Sequence, residues 1–203
     1  MVKNNIITDI SQLDLNKKYS YADYLMWQFD EMVELIKGKI FRMSPAPNNN
    51  HQIISSNLHG EFYFYFRNKK CRLYHAPFDV KLPIKNKNAD EEIHTVVQPD
   101  ICIVCDLEKL DKRGCLGAPD LIVEISSKST AQKDLTYKYE IYEQAGVKEY
   151  WIVKTEDQTL LIYTLVDGVY QPSKLFAKDE IVSPSLFEDF TLDLSEVFKN
   201  LIE

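Results

Sequence analysis

Leu121-Ile122-Val123-Glu124-Ile125-Ser126 decides the fold of this chain. The run is almost wholly apolar, the pattern of a central strand covered on both faces, and one glutamate interrupts it. A lone buried carboxylate is costly, so Glu124 demands a cation, a metal or a raised pKa. The next element supplies a cation. Ala131 to Ala145 reads as a helix, with Ser129 or Thr130 to cap its start and Gly146 after its end. At about 100° per residue, Ala131, Leu135, Ile141, Tyr142 and Ala145 share one stripe with Lys138. Gln132, Lys133, Thr136, Glu140, Glu143 and Gln144 fall on the opposite face, and Asp134 shares the inward stripe one turn before Lys138. A desolvated ammonium needs an anion, and Glu124 is the carboxylate the chain offers beneath this helix.

A second carboxylate lies upstream. Asp100 follows Pro99 at the start of Ile101 to Val104, part of a strand expected over Val96 to Val104. Two acids on neighbouring central strands and an inward lysine suit a divalent-metal site. Asp100 and Glu124 are the expected ligands, with the Ile125 carbonyl as the third. Hard oxygen donors in small number fit Mg²⁺ (or Mn²⁺), which keeps waters for a phosphate and a nucleophile. Lys138 then orients or deprotonates the attacking water. Blander readings stand beside these: an aspartate bonded to backbone amides at the strand start, a simple buried Glu124–Lys138 ion pair, or a surface lysine paired with Asp134. Asp79, flanked by Phe78 and Val80, is a further candidate for the acidic cluster, and His51 at a helix start is an outside candidate for a base.

Other elements fall outward from this core. Tyr21 to Phe29 is helix-like with Ser20 as cap, and Leu25, Met26 and Phe29 are available for burial. Val33-Glu34-Leu35-Ile36 and Lys39 to Met43 flank Lys37-Gly38 as a hairpin, closed by Ser44 to Pro47. A helix capped by Asn49 or Asn50 runs to about Arg67, and Leu73 to Leu82 is a strand. Asn86 to Glu92 is a polar loop. Tyr150 to Val153 and Leu160 to Leu165 are strands, Asp167-Gly168 turns the chain into Val169-Tyr170, and a short helix starts at Ser195. The expected class is α/β, a mixed central sheet flanked by helices in one domain over 1–203. Its parts are an N-terminal helix and hairpin (about 20–45), a core (about 48–166) and C-terminal strands and helix (167–203).

A net charge of −7 argues against a general DNA-coating role, which needs clustered Lys and Arg. It does not exclude a nuclease, whose active-site acids add negative charge themselves. No apolar signal core or membrane-length run is present, so the expectation is a cytoplasmic protein without membrane contact. Cys71, Cys102, Cys105 and Cys115 show no disulfide-framework spacing. Cys102 and Cys105 form a C-x-x-C, but an offset of three in a strand sends their side chains to opposite faces, and no second pair completes a zinc site. They read as small buried hydrophobes in a reducing compartment.

The order Pro-Asp, then Glu-Ile-Ser, then a helical lysine resembles the PD-(D/E)XK nuclease superfamily. There an Asp and a Glu on adjacent strands hold Mg²⁺, and a lysine two positions after the Glu handles the water. Ser126 occupies that position here and cannot supply the charge; in several branches the lysine has moved to the following helix, where Lys138 stands. The resemblance narrows to the Uma-two family of restriction-type endonucleases. It is carried by Glu34-Leu35-Ile36-x-Gly38, His51, Thr95 to Asp100, Gly117 to Ser126, Asp134-x-x-x-Lys138, and Tyr142-x-x-Ala145-Gly146-Val147-x-Glu149-Tyr150-Trp151. It spans about Tyr21 to Phe198.

The resemblance implies a restriction-endonuclease-like core and Mg²⁺-dependent hydrolysis of nucleic-acid phosphodiesters, with DNA the expected substrate. It also implies an acid near the metal at Glu34, and analogy with nucleases of this fold implies a homodimer. Lys128 stands where the family usually has proline. Asp134 and Ser126 are candidates for supporting the site. The rival expectation is a nuclease fold that binds DNA or a partner without cleaving; a small-molecule phosphohydrolase using the same metal is another.

Overall fold

The computed structural model describes residues 6–43, 48–84, 87–126 and 134–202, with Asp134 and Leu135 described in backbone only. Ser44–Pro47, Asn86, Lys128, the Ser129 or Thr130 cap and the helix start at 131–133 lie outside the described residues.

In chain order come α1 (Tyr21–Tyr24), β1 (Val33–Ile36), β2 (Lys39–Arg42), α2 (Asn49–Phe66), β3 (Arg72–His75), β4 (Val80–Lys81), β5 (Val96–Val97) and β6 (Ile101–Val104). Then follow β7 (Leu110–Asp111), β8 (Gly114–Leu116) and β9 (Leu121–Ser126). A π-helical turn, Asp134–Lys138, leads into α3 (Tyr139–Ala145). The chain ends with β10 (Glu149–Lys154), β11 (Thr159–Val166), β12 (Val169–Pro172), β13 (Phe176–Ala177), β14 (Ile181–Val182), β15 (Leu192–Asp193) and α4 (Leu194–Val197).

Two sheets stack. The larger is mixed, in the order β12-β11-β10-β9-β6-β3 with β13 beside β11; β9 and β10 run parallel and β6 and β9 antiparallel. The smaller runs β2-β1-β5-β4-β8-β7. Leu121–Ser126 is buried at every position, as its apolar run requires. One face of the large sheet packs α2 and α4 through Ile54, Leu58, Phe62, Ile101, Val123, Trp151 and Val197. The other face meets α3 and the small sheet through Ile36, Val97, Cys102, Ile122, Tyr142 and Ile152. The far side of the small sheet is closed by the N-terminal segment through Ile10, Tyr19, Tyr21, Val33 and Leu35. The architecture is thus the α/β arrangement read from the sequence.

Several elements are shorter or more broken than the sequence suggests. The helix after Ser20 is one turn. Ser20 and Asp23 form a reciprocal capping box, but Leu25 is exposed and the helix stops at Tyr24. The cap of α2 is Asn48, one residue earlier than expected. Val96–Val104 is not one strand: Pro99 has no amide hydrogen for a ladder, and the chain leaves the small sheet as β5 and enters the large one as β6. Leu73–Leu82 likewise divides into β3 and β4, in different sheets. The C-terminal helix is a single turn capped by Asp193. The β1–β2 hairpin and its Lys37-Gly38 turn, with positive φ at both residues, stand as read. So does the Gly146 stop, where φ is 86°.

The cysteines require a correction. Cys71 and Cys105 are joined in a disulfide. The antiparallel β3–β6 register pairs Arg72 with Val104, which sets Cys71 opposite Cys105 one step beyond; spacing along the chain does not reveal such a pair. Cys102 and Cys115 are free and buried, and burial pushes the Cys115 thiol up to about 11.

Phe62 is fully buried and contacts the rings of Trp151 and Phe190 at centroid distances of 5.6 and 5.3 Å. Phe62→Ala should cost about 3–5 kcal/mol of unfolding free energy, read from urea denaturation midpoints at unchanged m.

Candidate active site

Pleating brings the acids together. On β1, Val33 and Leu35 face the N-terminal segment and Ile36 faces the large sheet, so Glu34 shares the inner side with Ile36. On β9, Val123 and Ile125 face α2 and Ile122 faces α3, so Glu124 points toward Glu34. Lys138, the last residue of the π-helical turn, arrives between them. Its Nζ lies 2.8 Å from Glu124 Oε1 and 3.0 Å from Glu34 Oε1. The Tyr142 hydroxyl, one turn along, donates to Glu124 Oε1 at 2.7 Å. The Gln98 amide donates to Glu34 Oε1 at 3.1 Å. Glu34, Glu124 and Lys138 are 0%, 4% and 2% exposed, so Glu34 does not face solvent and Lys138 is no surface lysine. Burial, then the Glu124 and Glu34 charges, holds the Tyr142 phenol well above its ordinary range.

Asp100 occupies the rim. The β6–β9 register pairs Ile101 with Val123, so Asp100 stands one step on, across from Glu124. Its Oδ2 accepts from the Ile125 amide at 2.7 Å, as the bland reading of a strand-start aspartate expects. Its Oδ1 lies 3.2 Å from His51 Nε2. His51 Nδ1 is buried without a partner. The histidine at the start of α2 is therefore drawn to the site by Asp100. Among the described residues, no group of three or more His, Cys, Asp and Glu side chains is arranged to hold a metal. The donor chemistry nevertheless fits a hard divalent ion: two carboxylates, Asp100 and Glu124, across neighbouring strands of the large sheet.

The remaining candidates divide. Asp79 stays outside the Glu34–Glu124 group. It takes hydrogen bonds from Gln98 Nε2 at 2.9 Å and the Tyr24 hydroxyl at 3.5 Å, both on Oδ1. Ser126 is buried, its carbonyl bonded to the Thr155 amide. The Asp134 side chain lies outside the described ones. Asp120 immediately precedes β9, accepts from the Cys105 amide at 2.7 Å and pairs with Lys148 at 2.6 Å. Sequence reasoning missed two participants, Tyr142 and Gln98. Tyr142 entered as part of the apolar stripe and of the family resemblance, without a role, although a buried phenol needs a hydrogen-bond partner, and that need was the available signal. Gln98 lay within the Thr95 to Asp100 stretch that carries the family resemblance, but nothing there gave it a role.

A family model described as "Uma2: Putative restriction endonuclease" matches residues 21–195. The chain belongs to the Uma2 family. Membership supports a nuclease function. A crystal structure of "a putative nuclease belonging to DUF820", from Anabaena variabilis ATCC 29413, superposes with a TM-score of 0.65. At 18% sequence identity, the match covers 89% of this chain and 97% of that one. At that identity the likeness establishes the fold, which is shared with this Uma2 chain. No curated protein matches the chain significantly. No helix among the described residues is long and apolar enough to cross a membrane.

Lys138→Met removes the ammonium that two buried carboxylates share. It should destabilise the fold by about 3–5 kcal/mol, and adding Glu34→Gln and Glu124→Gln should recover part of that loss in denaturation midpoints. Burial raises the Asp79 carboxyl, opposed by the Gln98 hydrogen bond, Lys81, Tyr24 and Tyr21. The protonated form thus favours folding: its contribution is full below the ordinary value of 3.8 and is lost as pH rises through the raised value. Asp79→Asn should therefore melt higher than the parent at pH 7, with the gap closing as pH falls through that window.

Proposed function

We propose that this Uma2 protein is a Mg²⁺- or Mn²⁺-dependent nuclease that hydrolyses phosphodiester bonds of nucleic acid, DNA being the expected substrate. The observation that carries the reading is the Lys138 ammonium between Glu34 and Glu124, one strand from Asp100. Asp100, Glu124 and the Ile125 carbonyl would hold the ion. When bound, such an ion polarises a phosphate oxygen and lowers the pKa of a water.

The chain's own residues do the rest. Glu34 and Glu124 hold the Lys138 ammonium within about 3 Å of both acids, so little reorganisation is needed when it donates the hydrogen bond that orients the attacking water. The same charge offsets negative charge developing on the phosphoryl oxygens. Tyr142 and the Gln98 amide take up acceptor capacity on the two glutamates and hold them in place. His51 anchors Asp100 from α2. A homodimer would present two such sites to the two strands of a duplex.

A second reading is favoured by specific observations: the −7 charge, and a lysine whose amine is already paired with both glutamates. On that reading the fold binds DNA or a partner without cleaving. Metal-dependent melting and cleavage separate the two. Mg²⁺ or Mn²⁺ should raise the melting temperature of the parent but not of Asp100→Ala or Glu124→Ala. Lys138→Met should slow cleavage of plasmid or oligonucleotide by about 10²–10⁴-fold while leaving a metal-induced shift. A parent that cleaves nothing with either ion, or alanine variants that melt with metal as the parent does, would overturn the nuclease assignment. Hydrolysis of nucleotides but not of plasmid would point to a small-molecule phosphohydrolase.

A further inference from the structure

Five consecutive aromatic residues, Phe62 to Phe66, close α2, and the helical period divides them. Phe62 and Phe66, one turn apart, enter the core. Tyr65 leans on the C-terminal segment, its ring centroid 4.9 Å from that of Phe190. Tyr63 and Phe64 are left 60% and 67% exposed. Arg67, Lys69 and Lys70 follow, all exposed. Arg67 lies over the Phe64 ring at 4.4 Å and Lys69 over the Tyr65 ring at 3.8 Å. Among the described residues, none of the three cations forms an ion pair. The turn that carries them is pinned: the Arg67 amide donates to Tyr63, the Lys69 amide to Phe66, and Cys71 is joined to Cys105.

This surface is basic in an acidic chain. No acid occurs between Glu61 and Asp79, although the net charge is −7. The acids of adjoining segments, Glu188 and Asp189 beside Phe187, pair with none of the three cations. Cations at a helix C-terminus complement its dipole. That accounts for the charge but not for two aromatic rings left in water beside it.

The helix joins this surface to the acidic site. His51, near its start, lies 3.2 Å from Asp100. Arg67 stands at its other end, roughly 24 Å away along the axis at about 1.5 Å per residue. Between them the exposed ridge is Gln52, Ser56 and Gly60, where an added Cβ would meet nothing within 4 Å. Asn49 to Gly60 contains no Asp, Glu, Lys or Arg. The acidic site sets Glu34, Glu124 and Asp100 against one ammonium, so it does not itself attract a polyanion. Cations that hold a phosphate chain must lie elsewhere. A second copy seated on this face about a two-fold axis would set the cations against their own images. A polyanion that carries flat rings satisfies both the charge and the aromatics.

We propose that the C-terminal end of α2 binds a single-stranded stretch of nucleic acid, which continues along α2 to Asp100; that continuation rests on the nuclease reading. Arg67, Lys69 and Lys70 meet its phosphates, and its bases stack on Tyr63 and Phe64. Paired bases keep their faces inside a duplex, so the surface selects single strands.

Fluorescein-labelled dT20, alone or paired with dA20, tests this by anisotropy on the full chain in EDTA, over about 50 to 200 mM salt. Single-stranded dT20 should bind the tighter. Arg67→Ala, Lys69→Ala and Lys70→Ala combined should weaken it at least about tenfold and flatten the slope of log affinity against log salt by about 2, at roughly 0.7 per phosphate. Tyr63→Ser with Phe64→Ser should weaken it at least about fivefold while leaving that slope unchanged. Both variants alter exposed side chains and should melt close to the parent. Lys112→Ala, an exposed lysine between β7 and β8, should change nothing; an equal loss there means general charge attraction and overturns the assignment. Unchanged dT20 affinity in the triple variant, or a duplex bound as tightly as dT20, overturns it too. Vesicles of phosphatidylserine and phosphatidylcholine that bind through these rings and cations, when dT20 does not, give the surface to a membrane instead. Cleavage with Mg²⁺ is read separately. Binding that follows the variants without any cleavage upholds the surface and sinks the nuclease reading. Cleavage whose KM the triple variant leaves unchanged upholds the nuclease and overturns the surface.

Discussion

The Lys138 ammonium, enclosed between two carboxylates that the pleat of separate sheets turns toward each other, is the interaction on which this structure depends. Any one of the three charges alone would be untenable at such burial. Together they fasten the hairpin strand β1, the central strand β9 and the helix after it at one point. Hydrophobic packing brings the small sheet and α3 onto the large sheet, but it does not choose their registration. The lysine does, because Glu34 and Glu124 meet one amine at 3.0 and 2.8 Å only if both elements are seated as they are. The site is therefore also a structural joint, and its chemistry and its stability are bound to the same side chains.

Pro99 supplies the second constraint. With no amide hydrogen it cannot extend a ladder, so the chain leaves the small sheet at Gln98 and joins the large sheet at Ile101. That corner places Gln98 against Glu34 and Asp100 against the Ile125 amide. A straight strand through Val96–Val104 would give neither contact. The broken strand, which looks like a flaw in the pattern, sets the acids at the seam between the sheets.

How much of this was legible in the sequence follows from where each signal resides. Glu124 and Lys138 were readable because a charge in an apolar run and a charge in an apolar helical stripe are local contradictions, visible without partners. Asp100 was readable by its place at the head of an apolar strand. Glu34 was legible only through resemblance, since a four-residue strand in a polar neighbourhood does not disclose that both its faces are covered. The Cys71–Cys105 disulfide depends on a strand register linking residues 34 apart, and the attachment of His51 to Asp100 on a helix docking across the sheet. Such contacts exist only once the sheets are assembled. The central strands were drawn too long because β-branched content says that a segment is extended and does not say in which sheet it pairs.

The absence of a lysine at Ser126 then has a structural counterpart. A lysine two residues after Glu124 would share the inner side of β9 with the glutamate and approach it along the strand. Here the amine comes from the facing helix instead, at the end of a π-helical turn, a geometry that recurs at functional sites. The wider turn sets Lys138 and Tyr142 so that both reach the same oxygen of Glu124, at 2.8 and 2.7 Å. An amine delivered this way is held from above by the helix and from below by two strands, whereas one on the strand itself would be held only by its own backbone. The helical position thus trades the short connection of a strand lysine for a more tightly enclosed charge.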